Sequence, residues 1–112
     1  MNLQEFQRGL ELFNSREYFD AHEVWEDVWR AAPADEKKFL QGMIQVAVAL
    51  HHHGRGNLRG ARSLLARALR NLSDYPESYA GVDLAGIRST IAQCQGALDL
   101  AGPLPPLRIP LS

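Results

Sequence analysis

Residues 39–50 carry apolar side chains around almost the whole circumference of a helix, and this limits where the segment can lie in a fold. A helix that is apolar on all sides is normally the buried centre of its domain. Pro33 favours a helix start just before the segment, and Gly54 favours a helix end just after it, at about residue 53. The sequence therefore predicts a long central helix with other helices packed around it.

Helical periodicity also dominates the rest of the chain, and no segment shows the alternation typical of strands. Asn, Ser and Asp residues that can cap helices stand before the remaining periodic segments. The four further predicted helices are one that follows Asn2, one over about residues 16–31 capped by Ser15, one from Asn57 to about residue 71, and one that follows Asp83.

The chain has 112 residues, which is enough for one domain and too few for two. The segment from Gly102 onward contains four prolines and cannot be helical. We expect an all-α fold, a compact bundle of about five helices built from helical hairpins with the third helix central. Residues 1–101 form this single domain, and residues 102–112 form a proline-rich extended tail.

Charge is distributed unevenly although the net charge is only −1. Residues 1–36 carry a net charge of −6, residues 37–72 carry +7, and residues 73–112 carry −2. An arginine stripe on the fourth helix could contact phosphates, but it lacks the interleaved aromatic residues that stack on bases. We therefore expect an acidic helical hairpin to pack beside a basic one, and we expect no nucleic-acid partner.

Composition narrows the environment and the chemistry of the chain. A single cysteine, Cys94, excludes an internal disulfide and a CxxC metal or redox pair. No apolar run reaches the roughly 20 residues that cross a bilayer, so no membrane partner is expected. We predict a cytoplasmic protein, and the sequence is compatible with a homodimer.

Polar side chains lie on predicted inner faces of two successive helices. On the second helix, His22 and Glu26 fall inside the apolar arc, whereas Glu23 points about 100° away from His22 and faces solvent. On the third helix, three polar side chains fall within a stripe about 40° wide: Gln41, Gln45 and His52. We expect His22 or Glu26 to come within hydrogen-bond or water-bridged reach of this stripe.

Several arrangements of this polar cluster are consistent with the sequence. The side chains could satisfy one another in a structural network. Alternatively, His22, Glu26 and His52 could bind one divalent metal ion, such as zinc, manganese or iron, with a glutamine or water completing the shell. The cluster could also line a pocket for a small polar ligand, or the glutamine stripe could simply face water.

Trp25 and Trp29 share the inner face of the second helix with Tyr18, so both indoles are predicted to be largely buried. The run of histidines at residues 51–53 resembles a metal-binding tract. Consecutive helical residues point about 100° apart, however, so these imidazoles cannot all reach one ion. Only His52 lies on the glutamine stripe.

Two motifs occur in order and resemble the signature of domain of unknown function family 309, a family of small bacterial and archaeal proteins. The first motif is Phe13-Asn14 with residues 18–26 and Trp29-Arg30. The second consists of residues 39–42, Ile44-Gln45, Leu50, His52 and residues 55–61. The resemblance covers about residues 5–72. It implies a compact all-helical fold and no established activity, although such proteins carry the predictive label "metal-dependent hydrolase".

The resemblance assigns motif positions residue by residue. They are His22, Glu23, Trp25, Glu26, Trp29, Gln41, Gln45, His52 and Asn57, with Arg55 in support. The chain departs from the pattern at His51 and His53, so the histidine run lies outside the chemistry that the family implies.

Two classes of function follow from the sequence. One is a protein that binds a metal or a small ligand through His22, Glu26 and His52, with support from the two glutamines. A metal-dependent hydrolase, in which Glu26 or Glu23 acts as base, belongs to this class. The other is an interaction module whose polar cluster only fixes the register of the helices.

Overall fold

The first helix, α1, spans Leu3–Asn14 and begins at the predicted cap. The Asn2 side chain accepts a hydrogen bond from the backbone N–H of Glu5 at 3.1 Å. Glu5 does not complete a capping box, because its carboxylate accepts from Arg8 at 2.9 Å. Phe6, Leu10 and Phe13 form the buried stripe of this helix.

Four further helices complete the bundle in the computed structural model, which describes residues 1–100, 102–105 and 107–110. They are α2 (Tyr18–Ala31), α3 (Ala34–Gly54), α4 (Leu58–Leu72) and α5 (Leu84–Asp99). Helix α3 packs between α2 and α4, α1 packs on α2, and α5 packs on α4. The predicted all-α fold with a central third helix is confirmed.

Two helix boundaries differ from the prediction for conformational reasons. Helix α2 begins at Tyr18 without a side-chain cap from Ser15, because Arg16 adopts a left-handed φ of 66° and delays the helix. Gly54 is the last residue of α3, and Gly56 takes the left-handed conformation with φ 81°. The caps by Asn57 and Asp83 are as predicted, since their side chains accept from the N–H of Gly60 and Gly86.

A small β-hairpin that the sequence analysis did not predict precedes α5. Strand β1 (Ser78–Tyr79) pairs antiparallel with β2 (Val82–Asp83). Ala80 and Gly81 form the turn with φ values of 52° and 78°, which suit a two-residue hairpin. Strands of two residues are too short to show alternation, so the sequence pattern could not reveal them.

The centre of the core is an aromatic group around Trp25. Its ring stacks on Phe6 and Phe13 of α1, with centroids 5.8 and 5.9 Å away, and its Nε1 donates to the Phe6 carbonyl at 3.1 Å. Phe6 also contacts Phe39 of α3 at 5.5 Å. These contacts join three helices, so Trp25 fixes how α1 and α3 pack on α2.

Within the described residues, no polar or charged side chain is fully buried. Of the predicted inward-facing His/Glu/Gln cluster, four members are partly buried, His22, Glu26, Gln45 and His52, and Gln41 is exposed. Burying a charge without complete pairing is costly, and a rim position avoids that cost. No helix in the described ranges is long and apolar enough to cross a lipid bilayer.

The tail returns to the body of the protein. Residues 102–105 and 107–110 form neither helix nor strand, and Ile109 lies in the core with an exposed fraction of 1%. Of the predicted domain and tail, residues 101, 106, 111 and 112 lie outside the described residues.

Candidate functional site

Three side chains of α2 form a charged row along one face of the helix. His22 Nδ1 lies 2.8 Å from the Phe19 carbonyl oxygen, and His22 Nε2 lies 3.2 Å from Glu26 Oε1. The imidazole of His22 thus bridges a backbone carbonyl and the carboxylate of Glu26. Glu26 Oε2 lies 3.6 Å from Arg30, and Arg30 also pairs with Asp27.

The row borders a cleft between α2 and α3. Glu26, Trp29 and Arg30 of α2 face Gln41 and Ile44 of α3 across a cavity of about 310 Å³, here called the α2–α3 cleft. The Glu26 carboxylate is 41% exposed, so it remains accessible despite its two ion pairs. Each helix contributes one apolar group, the indole of Trp29 and the side chain of Ile44, while the other groups offer a carboxylate, a guanidinium and an amide.

Trp29 is the least satisfied polar side chain of this region. Its Nε1 is buried and has no hydrogen-bond partner among the described residues. Lys37 at the start of α3 places its ammonium 4.2 Å from the centroid of the indole ring, within cation–π range. A buried donor without a partner in a native protein calls for an explanation, and a bound water or ligand is one.

One family model matches the part of the chain that contains the α2–α3 cleft. The family model described as "Domain of unknown function (DUF309)" matches residues 6–64, which is more than half of the chain. The chain belongs to this family. Its helices α2 and α3, and with them the whole α2–α3 cleft, lie inside the part that DUF309 covers.

Two relatives are themselves uncharacterised. One, from Aquifex aeolicus (strain VF5), is 29% identical over 92 residues, covering 81% of this chain and 28% of the relative. The other is the uncharacterized protein YpuF of Bacillus subtilis (strain 168). It is 42% identical over 64 residues, covering 56% of this chain and 37% of YpuF. The alignments therefore span only about a third of each relative, and no function is established for this DUF309 chain.

The DUF309 motif residues divide into two groups in the structure. Glu26 and Gln41, predicted from separate helices, line the same cleft, and His22 orients Glu26 from one turn away. Glu23 is exposed on the outer face of α2, as predicted. Trp25 is fully buried and Trp29 is partly buried against the core, which agrees with the prediction that both indoles are largely buried.

Gln45 and His52 make contacts elsewhere. Gln45 Oε1 accepts from Asn71 Nδ2 at 2.8 Å, which ties α3 to α4. His52 Nδ1 lies 3.5 Å from Asn57 Nδ2 in the turn between α3 and α4, and the exposed Arg55 is the C-cap residue directly after α3. No hydrogen bond joins Gln41, Gln45 or His52 to His22 or Glu26 in the described part of the chain.

The metal hypothesis requires three ligand groups to lie together. Over residues 1–100, 102–105 and 107–110, no three His, Cys, Asp or Glu side chains are grouped so that they could hold a metal ion. His22 and Glu26 form a pair, while His52 contacts Asn57 in the turn after α3. A zinc, manganese or iron centre at His22, Glu26 and His52 therefore stays a prediction from the sequence.

Sequence reasoning missed three residues of this region. Arg30 and Ile44 complete the cleft, and Asn71 is the partner of Gln45. Arg30 follows Glu26 by four residues, a spacing that pairs opposite charges on one helix face, so this contact was detectable. The role of Asn71 depends on how α4 packs against α3, and no spacing within either helix encodes it.

Proposed function

We propose that this chain is a small-molecule-binding domain and that the α2–α3 cleft is its binding site. The observation that carries the proposal is the convergence of Glu26 and Gln41, from different helices, on one cleft beside Trp29. Ligand sites combine an apolar wall with a few convergent polar groups, and their volumes begin at about 300 Å³. The α2–α3 cleft is therefore sized for a small ligand.

The charges around the cleft indicate the class of ligand. Glu26 and Asp27 are acidic and Arg30 and Lys37 are basic, so the formal charges of these four groups cancel. A ligand with a strong net charge would meet one favourable and one unfavourable partner. A neutral or zwitterionic molecule can instead donate to Glu26 and accept from Arg30 or Gln41, while an apolar part packs on Trp29 and Ile44.

Two indole N–H signals make this proposal testable by NMR. Free amino acids, small amides and sugars would be added to ¹⁵N-labelled protein, and the Trp Nε1–H resonances would be followed. We expect a binding probe to shift the Trp29 signal, which belongs to the cleft, and to leave the Trp25 signal unchanged. The Trp25 N–H is bonded to Phe6 inside the core and serves as the internal control.

Matched substitutions on α2 separate the cleft from the general acidity of the helix. Glu26→Gln should weaken binding about tenfold or more, because it removes a charge-assisted hydrogen bond. Glu23→Gln removes one charge from the exposed outer face and should leave the affinity unchanged. Equal effects of the two variants, or no shift of Trp29 with any probe, would exclude the cleft as the site.

Two predictions from the sequence accompany this proposal, a homodimer and a cytoplasmic location. The location rests on the one cysteine, Cys94, which is a free thiol in the core and suits a reducing compartment. Sedimentation velocity tests the first prediction, and fractionation of cells that express the protein tests the second.

A further inference from the structure

The end of the described tail crosses a groove far from the α2–α3 cleft. Residues 107–110, here called the strap, pass between the end of α1, the end of α3 and the turn of the β-hairpin. The groove is lined by residues of all three elements, among them Asn14, Leu50 and Ala80. Because the strap lies across this surface, its contacts indicate which kind of segment the groove accepts.

All three hydrogen bonds that the structure gives to the strap use its backbone. The Ile109 N–H donates to Asn14 Oδ1 at 2.9 Å, and Asn14 Nδ2 donates to the Ile109 carbonyl at 3.4 Å. The Asp83 N–H donates to the Pro110 carbonyl at 2.9 Å. The Asn14 amide thus supplies one acceptor and one donor, as a neighbouring strand would. Recognition through the backbone accepts an extended segment of varied sequence.

Side-chain recognition depends on alternate positions of the strap. Ile109 is buried in the core, Leu107 packs partly against it, and Arg108 between them is exposed. Pro110 follows the anchor: its carbonyl accepts from Asp83, and its partly buried ring lies beside Gly86. The groove therefore selects an extended segment with apolar residues at alternate positions and a proline directly after the deep anchor.

The strap fills this groove incompletely. Two cavities of about 540 and 480 Å³ remain, and Asn14 and Arg108 line both of them. A segment with larger apolar side chains at the flanking positions would bury more surface than the strap does. The strap is held by its three hydrogen bonds, by the buried Ile109 and by the partly buried Leu107.

We propose that this groove is a docking site for an extended apolar peptide that carries a proline after its anchor residue, and that the chain occupies the site with its own strap. A tethered segment competes at an effective concentration in the millimolar range. A partner peptide therefore docks only when it binds more tightly than the strap or when the strap is released. Ile109 is the group that keeps the site closed.

A labelled copy of the tail provides the test. A fluorescent peptide with the sequence of residues 102–110 would be titrated by anisotropy into the wild-type chain and into full-length Ile109→Ala, which weakens the competing strap. We expect the apparent Kd to fall at least tenfold in Ile109→Ala. A control peptide that itself carries Ile109→Ala should not bind either protein.

Substitutions in the groove locate the binding. Asn14→Ala, added to Ile109→Ala, should weaken peptide binding about tenfold, as expected when two hydrogen bonds are lost. Gln7 lines the same groove but makes no hydrogen bond to the strap, so Gln7→Ala should leave the affinity unchanged. Equal affinity for the wild type and Ile109→Ala, or no effect of Asn14→Ala, would overturn the proposal.

Hydrogen exchange of the wild-type chain gives a readout that does not depend on the folding of a variant. If the strap detaches on its own, the Ile109 amide exchanges by local opening. Its exchange should then be faster than that of the α3 amides, and low concentrations of denaturant should not change its rate. If Ile109 exchanges only with global unfolding, at the rate of α3, the strap is a permanent part of the core and no docking site exists.

Discussion

At the scale of single residues, two tryptophans four positions apart on α2 have different environments. Trp25 is enclosed by Phe6 and Phe13 of α1, and its N–H is bonded. Trp29 lies beside the α2–α3 cleft, partly exposed, with Lys37 over its ring. Helical spacing placed both indoles on one face, but it could not show that α1 covers only the first.

We expect the two tryptophans to respond differently to substitution by phenylalanine. Trp25→Phe removes the indole hydrogen bond to the Phe6 carbonyl, which should cost about 0.5–1.5 kcal/mol in addition to the lost packing. Trp29→Phe removes a donor that has no partner among the described residues, so its cost should stay below about 1 kcal/mol. Urea denaturation measures both, and equal losses would contradict the assigned environments.

Substitution by alanine should also destabilise the protein more at Trp25 than at Trp29. Trp25→Ala should cost about 3–5 kcal/mol, as large truncations in cores do. Trp29→Ala should cost less, because part of its ring is already in contact with water.

Two helical glycines provide a second comparison between sites. A Cβ at Gly9 would lie 2.2 Å from Trp25 Nε1, whereas a Cβ at Gly96 on α5 would have no neighbour within 4 Å. Gly9→Ala should therefore destabilise the protein by about 1–3 kcal/mol through overpacking. Gly96→Ala should stabilise it by about 0.5–1 kcal/mol through helix propensity. Thermal melts of both variants test these predictions. If both variants changed stability in the same direction, the packing described around Gly9 would be contradicted.

At the scale of helices, the two glutamines of the polar stripe of α3 contact different neighbouring helices although they lie close together on a helical wheel. Gln41 lines the α2–α3 cleft, on the side of α3 that faces α2. Gln45 is only about 40° away on the wheel, yet it bonds to Asn71 of α4. Because α3 has neighbours on both sides, a small angle decides which neighbour a side chain reaches, and that angle depends on the packing of the helices.

The contact between Gln45 and Asn71 should be measurable as a coupling between α3 and α4. A double-mutant cycle with Gln45→Ala and Asn71→Ala should give an interaction energy of about 0.5–1.5 kcal/mol. Gln41→Ala, in the α2–α3 cleft, serves as the control and should show no coupling with Asn71→Ala. Additive effects of the first pair would mean that this hydrogen bond does not stabilise the helix pair.

The predictability of the helices themselves follows from how local their signals are. The caps by Asn2, Asn57 and Asp83 act on the next three residues, so the sequence identified them. The delayed start of α2 depends on the left-handed φ of Arg16. This conformation is uncommon for arginine, so the sequence did not predict it. The β-hairpin was missed because its four strand residues have no periodicity to detect.

At the scale of the whole molecule, ion pairs link segments that are distant in sequence. Lys38 pairs with Asp74, the N-terminal ammonium pairs with Glu36, and Arg62 lies 3.0 Å from Asp99. The Lys38 and Arg62 pairs are largely exposed, and exposed pairs contribute only about 0–1 kcal/mol each. The apolar contacts of α3 with α2 and α4 therefore dominate stability, and titratable groups matter mainly where the core encloses them.

Cys94 is such a group, and it makes stability depend on alkaline pH. Burial raises the pKa of its thiol, so the folded chain retains the proton at a pH where the unfolded chain, with a pKa of about 8.5, has lost it. The unfolded state then binds fewer protons than the folded state. The free energy of unfolding should therefore fall by about 1.4 kcal/mol for each pH unit, from about pH 8.5 until the folded thiol ionises.

Urea denaturation of the wild type and Cys94→Ala at a series of pH values tests this dependence. Cys94→Ala removes the titrating thiol, so we expect lower stability at neutral pH, because a small cavity is left, and a flatter profile between about pH 8.5 and 10. Burial also raises the pKa of Tyr18, against the opposing charge of Arg16. Both proteins should therefore lose stability together only above about pH 10, where an unfolded tyrosine ionises. Parallel profiles between pH 8.5 and 10 would mean that the thiol titrates alike in both states, and that α5 does not shield Cys94 from water.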